Sequence, residues 1–152
     1  MPSIETAKLY GRWLGMWNGD LSLADDIVAP DCVVHYPGVP ANTSDAADGI
    51  ELIKATVKQA RAPFERLIVS LDVGPIEDGG KVATRWTARG SYAGGLPGIQ
   101  AAPGTMVEFS GVDLLRLADG KVAEYWLSTD ALQMMQQLGA APAAASSPLG
   151  TL

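Results

Sequence analysis

Asp113 is the residue of this chain whose setting most suggests chemistry. It interrupts the apolar run Val112-Asp113-Leu114-Leu115. In a strand, Gly111, Asp113 and Leu115 share one face, and Val112 and Leu114 the other. An unpaired carboxylate in apolar surroundings is costly, so it must be hydrogen-bonded, protonated or solvated by a pocket. A carboxyl with a shifted pKa in a cleft suits general acid and base catalysis. A structural hydrogen bond to a neighbouring loop would account for the same residue.

His35 is the sole histidine. Imidazole titrates near neutrality and suits a proton shuttle. The residue ends a short strand signal beside Tyr36, which places the two at the rim or wall of a pocket. Alternation lets only one of them point inward unless a bulge intervenes. A His35–Asp113 pair would make a catalytic dyad; a surface or structural histidine fits equally. One histidine and one cysteine, with no HxxxH or Cys/His cluster, give no metal site. Tyr125 shares a strand face with Leu127 and carries a phenol able to donate to a substrate oxygen. Trp13, Trp17, Tyr36, Trp86 and Leu127 are candidates for a flat apolar substrate surface, with core packing as the alternative. Arg85, Thr87 and Arg89 alternate with Trp86 and Ala88, as on a solvated or dimer-facing sheet surface. Gly94-Gly95 and Pro97-Gly98 read as loop hinges at a pocket mouth; they form neither GxGxxG nor a P-loop.

The elements that must position these groups follow from periodicity. Leu9, Trp13, Met16 and Trp17 recur at helical spacing over residues 4–18, with Tyr10 and Leu14 widening the stripe. Asn18-Gly19-Asp20 stops that helix. A second short helix carries Leu21, Ala24 and Val28 on one face and ends at Pro30-Asp31. Residues 32–36 form a short strand. Asp48 caps a third helix, with Ile50, Ile53 and Val57 at its spacing. From residue 66 the period falls to two: strands over 66–74, 81–92, 105–117 and 121–128, with turns at Glu77–Gly80 and Asp119-Gly120. Asp130 caps a last amphipathic segment, Leu132 to Leu138. The pattern is α+β: a curved, mixed but mainly antiparallel sheet with three N-terminal helices, closing as a cone-shaped barrel around an apolar pocket. Residues 1–139 make one domain, and the Ala/Pro/Ser-rich tail 140–152 is expected to be disordered.

Bulk composition bounds the partners. The 152 residues are 47% hydrophobic and 18% charged, a globular balance. A net charge of −6 offers no basic stripe for nucleic acid. No apolar run spans a bilayer and no secretory signal opens the chain, so a cytoplasmic protein is expected. Cys32, the lone cysteine, sits in an apolar run and reads as a buried small hydrophobe.

The segments Gly94–Ile99, Pro103-Gly104-Thr105, Gly111–Leu117, Asp119–Val122, Glu124-Tyr125-Trp126 and Leu132–Gly139, with Trp17–Asp20 and Pro30-Asp31, resemble the SnoaL-like polyketide cyclases of the nuclear transport factor 2-like superfamily. Ketosteroid isomerase and limonene epoxide hydrolase are relatives. The resemblance covers roughly residues 5–139. It implies a cone-shaped pocket, a homodimer across the sheet and no cofactor. In the cyclases, acid/base groups drive an intramolecular aldol closure of an enolisable polyketide. The position of their key carboxylate is Leu127 here, and that of a histidine in the preceding strand is Asp113. Against ketosteroid isomerase, the oxyanion-hole aspartic acid falls at Asp113, the general base near Tyr36 and the donor tyrosine near Trp13.

These readings converge on a cofactor-independent cyclase or isomerase of secondary metabolism. Asp113 would be its acid/base group, with His35 or Tyr125 assisting, and the pocket would template an apolar substrate. Two alternatives stand beside it. Epoxide opening requires a second acidic group near Asp113. A non-catalytic carrier of an apolar metabolite would tolerate Leu127.

Overall fold

The computed structural model describes residues 1–36 and 48–140. The expected tail from residue 141 onward lies outside them. Helix α1 (Ile4–Trp17) starts at Ser3, whose side chain accepts from the Thr6 N–H. It buries Leu9, Tyr10, Trp13 and Met16 along one stripe. A 3₁₀ turn (Leu21–Leu23) leads into the short α2 (Ala24–Ile27). Strand β1 (Val28–His35) and helix α3 (Gly49–Arg61) follow, the helix capped by Asp48. Four strands then run as an antiparallel meander: β2 (Phe64–Asp78), β3 (Lys81–Tyr92), β4 (Met106–Ala118) and β5 (Lys121–Thr129). Helix α4 (Ala131–Gln137) closes the order, with Asp130 accepting from the Gln133 N–H.

The sheet order is β1-β5-β4-β3-β2, with β1 parallel to β5. This is the curled mixed sheet and helical cover expected of the cone. Val28 corrects the expected helix end: it opens β1 and pairs with Val122 rather than closing α2. β1 consequently contains Pro30. An edge strand tolerates a residue without an N–H, and the register is irregular between Val28 and Val33.

The buried side of the meander is set by alternation. Val82, Thr84, Trp86 and Ala88 of β3 face inward with Phe109, Gly111, Asp113 and Leu115 of β4. Gly111 sits opposite Trp86, and a Cβ there would lie 2.4 Å from the indole and 2.4 Å from the Ser128 carbonyl. Glycine is what lets that indole approach β4 so closely. One core cluster gathers α1, α2, α3 and β1 around Trp13, Val34 and Tyr125. A second holds Leu67, Trp86, Phe109 and Leu138, and Leu14 and Trp17 touch both.

Pairing of β4 with β5 starts at Gly111↔Thr129, so β4 before Gly111 has no strand on that side. Helix α4 fills the gap with side chains. Gln137 Oε1 accepts from Glu108 N–H at 2.8 Å and its Nε2 donates to the Glu108 carbonyl at 2.6 Å. Gln133 Oε1 accepts from Ser110 N–H at 3.2 Å. Among the described residues no helix is long and apolar enough to cross a membrane.

Candidate active site

Asp113 is 3% exposed and its two oxygens receive four hydrogen bonds. Oδ2 accepts from Tyr10 Oη at 2.9 Å and Trp13 Nε1 at 3.1 Å, both on α1. Oδ1 accepts from Trp86 Nε1 on β3 at 3.2 Å and Tyr125 Oη on β5 at 3.0 Å. Tyr10 and Trp13 are three residues apart, so one helical face presents both donors. Two bonds on each oxygen fill the acceptor capacity of a carboxylate.

Burial pushes the Asp113 carboxyl above its ordinary range, while the bonds from Tyr10, Tyr125, Trp13 and Trp86 pull it back. Burial and the Asp113 charge raise both phenols well above theirs, so each stays a protonated donor. Thr84 Oγ1 donates to the Tyr10 oxygen at 2.7 Å, giving the chain Thr84→Tyr10→Asp113.

A cavity of about 440 Å³ opens beside this cluster, within the usual range for small-molecule sites. Trp17, Phe64, Trp86, Phe109, Leu127 and Met134 supply most of its apolar wall, and Asp113, Tyr125, Gln59 and Thr129 its polar side chains. Leu96 and Pro97 of the Gly/Pro-rich loop and Met135 of α4 also line it. Among the described lining residues, Asp113 is the sole carboxyl, and there is no histidine, lysine or arginine.

The site therefore gathers Asp113, Tyr125, Trp17, Trp86 and Leu127. Trp13 is fully buried behind Asp113 and does not line the cavity. His35 does not meet Asp113. The β1–β5 register sets it beside Trp126, on the sheet face opposite Tyr125 and Leu127. There its ring nitrogen bonds Glu124 at 2.6 Å, and the ring stacks on Trp126 at 5.0 Å and 7°. Glu124 also takes Arg116 Nε at 2.9 Å. The His35 bond above all holds the Glu124 carboxyl below its usual range; desolvation, the next influence, opposes it, and the Arg116 contacts add to the lowering. Tyr36 hydrogen-bonds Thr56 and is likewise off the cavity wall.

Sequence reasoning missed Tyr10 and Thr84. Tyr10 registered as one more residue of an apolar stripe; its spacing from Trp13 was the available signal. Cys32 is buried and its thiol is pushed up to about 12 by that burial, which removes it as a nucleophile. Among the described residues no cluster of three His, Cys, Asp or Glu side chains could hold a metal ion.

The family model described as SnoaL-like polyketide cyclase matches residues 7–138. Wild-type IdmH from Streptomyces antibioticus, a candidate polyketide cyclase, is 27% identical with a TM-score of 0.72, covering 88% of this chain and 97% of its own. AclR from Streptomyces galilaeus, a candidate hydroxylase, is 27% identical with a TM-score of 0.72, covering 91% and 98%. TsrD from Streptomyces laurentii is 25% identical with a TM-score of 0.73, covering 93% and 99%. No curated protein sequence matches the chain.

Proposed function

Since this chain belongs to the SnoaL-like polyketide cyclase family, we propose that it is a cofactor-independent cyclase or isomerase of secondary metabolism. Its substrate is an apolar, enolisable, polyketide-like molecule. Tyr125 carries the reading, because it both lines the cavity and donates to Asp113.

The route of the proton follows from what each partner of Asp113 can do. Indole N–H groups donate and never accept, so Trp13 and Trp86 cannot receive a proton from the carboxyl. Tyr10 accepts from Thr84 and does not line the cavity, so a proton passed to it has no path to a substrate. Tyr125 Oη accepts from no other described group, and Tyr125 is one of the residues that line the cavity. A protonated Asp113 thus donates to Tyr125 Oη, and the Tyr125 O–H turns to a substrate carbonyl oxygen. In a ring closure, an enol carbon attacks that carbonyl carbon and one C–C bond forms. The carbonyl oxygen takes the Tyr125 proton, and the enol oxygen returns its own to the Asp113–Tyr125 pair. No net proton is consumed. The aromatic wall holds the two reacting carbons together.

The test is turnover of an enolisable aromatic β-keto ester. Tyr125→Phe should lower kcat/KM about 100-fold with binding retained, and His35→Gln should leave it unchanged. Full activity of Tyr125→Phe sinks the acid/base reading. It would leave a second one, a pocket that templates or carries its ligand by shape, which the four-donor saturation of Asp113 and the presence of Leu127 favour. Epoxide opening is disfavoured, because the described cavity wall offers no second carboxyl or histidine.

The homodimer belongs to the same reading. Ile68, Val73, Ile76 and Val112 are exposed on the outward face of the sheet, where a second copy would cover them. Light scattering on Val112→Lys and Val73→Lys should report monomers if that face is the interface.

A further inference from the structure

Thr129 is the last residue of β5, and alternation puts it on the face of Tyr125 and Leu127. All three residues line the cavity. Tyr125 is fully buried, whereas Leu127 and Thr129 are half-buried, so this face of β5 steps outward from the interior. Across the sheet, Thr129 shares a row with Gly111 and Trp86, and the row behind it holds Leu127 and Asp113.

Thr129 differs from the other described threonines. Thr6, Thr56, Thr84, Thr87 and Thr105 each donate a side-chain hydrogen bond within the protein. The Thr129 hydroxyl has no partner among the described residues. Its row explains why. Gly111, its cross-strand neighbour, has no side chain, and Trp86, whose ring takes up that space, gives its N–H to Asp113. The hydroxyl is not sealed in either: among the described residues the one unpartnered polar side-chain atom closed to water is Trp17 Nε1. The backbone around Thr129 is fixed. Asp130 donates its N–H to the Ser110 carbonyl at 2.9 Å and caps α4 with its side chain. Gln59 also lines the cavity, but it is an exposed side chain on a helix surface; Thr129 is the unpartnered group on a rigid strand.

We propose that Thr129 is the specificity contact toward the outer end of the cavity: the ligand carries a neutral oxygen function, hydroxyl, carbonyl or ether, that pairs with its hydroxyl. Besides Asp113, no described lining side chain is charged at neutral pH, and a neutral function is the one that fits. Thr129 stands two residues along the strand from the Asp113 row, or about 7 Å. Two oxygens at that spacing sit at opposite ends of a two-ring aromatic system, one meeting the Asp113–Tyr125 pair and the other Thr129. Water serves such a hydroxyl when no ligand is bound. A ligand that covers it with carbon leaves it unpaired, which is how a polar contact discriminates. The inference deepens the small-molecule reading of this cavity and rests on it; it does not depend on the proton route through Tyr125.

The test uses a matched pair of probes, 6-acetyl-2-naphthol and 2-acetyl-6-methylnaphthalene, alike in size and differing in the hydroxyl. Calorimetric titration of the full chain gives the ratio of their affinities, and comparing that ratio between variants cancels the probes' own hydration. Thr129→Val keeps the branched shape that suits a strand and loses the hydroxyl. It should lower the naphthol-to-methyl ratio about fivefold while the methyl probe binds as before. Thr129→Ser, which retains a hydroxyl, should keep the native ratio. A ratio unchanged in Thr129→Val, including one where both probes weaken alike, overturns the contact and makes Thr129 plain wall. A ratio that falls as far in Thr129→Ser traces the effect to shape and overturns it too. Either result leaves the cavity a small-molecule site. Failure of both probes to bind the native chain removes the cavity reading and this inference together.

Discussion

Asp113 and Leu127 are direct partners across β4 and β5, and both side chains border the same cavity. An acid faces a hydrocarbon at the very place where the cyclase resemblance implies a carboxylate. Two facing acids could divide the work of donor and base between them. In the proposed reaction one acid does both, and it acts on the substrate through the Tyr125 phenol.

Placing a second acid there makes a prediction about pH. In Leu127→Asp, two carboxyls share an apolar site and raise each other's pKa. The folded chain then binds more protons than the unfolded one between the ordinary carboxyl range and the raised value, so stability falls as pH rises through that window. Asp113 alone, already raised by burial, has the same sign. Thermal melts should show Leu127→Asp close to native at pH 4–5 and about 2–4 kcal/mol less stable at pH 8. A loss independent of pH would mean that the new carboxyl does not share the site.

Tyr10→Phe removes one of the two donors on Asp113 Oδ2 and takes the acceptor from Thr84. Urea unfolding at pH 7 should show a loss of about 1–3 kcal/mol. The carbon resonance of the Asp113 carboxyl should titrate at higher pH than in the native chain, because its strongest lowering bond is gone. An unmoved titration would show that Tyr10 does not act on the carboxyl.

Gly111→Ala tests the close approach of Trp86 to β4. The new Cβ collides with the indole and with the rigid Ser128 carbonyl, and the indole must shift from Asp113. A destabilisation of about 2–3 kcal/mol is expected. The Trp86 Hε1 resonance should report loss of its hydrogen bond.

Glu124 gives the acid limb of stability. Its carboxyl lies below its usual value, so its contribution is complete above about pH 4.5 and is lost as the pH falls through the depressed value. In Glu124→Gln, the slope of melting temperature against pH in that range should be shallower. An identical slope would assign the acid sensitivity to other carboxyls.

Legibility in the sequence tracked the range of the contacts involved. Alternation along β4 and β5 put Asp113 on the Gly111–Leu115 face and Tyr125 with Leu127, because side-chain facing in a strand is a local property. Asp48 and Asp130 were readable as caps for the same reason. His35 was not readable. Its face depends on how β1 pairs with β5, partners 91 residues apart in the chain, and that register delivers it to Glu124 and Trp126. Tyr10 escaped because helical spacing marks a buried stripe without saying which buried polar atom the stripe meets. Pro30 misled: it reads as a breaker, yet at a sheet edge its missing N–H leaves no partner stranded.

The glutamines of α4 carry a consequence for how this protein can fail. Gln133 and Gln137 stand in for a missing strand along the first half of β4, and Met134 and Met135 between them form part of the cavity wall. Any movement that lifts α4 from the cavity also strips those amides from the β4 backbone. The cavity wall and the cover of this sheet border are one structure, and a molecule with α4 lifted displays to its neighbours the kind of strand border that seeds aggregation. The integrity of the cavity wall and protection from self-association thus rest on the same few amide bonds.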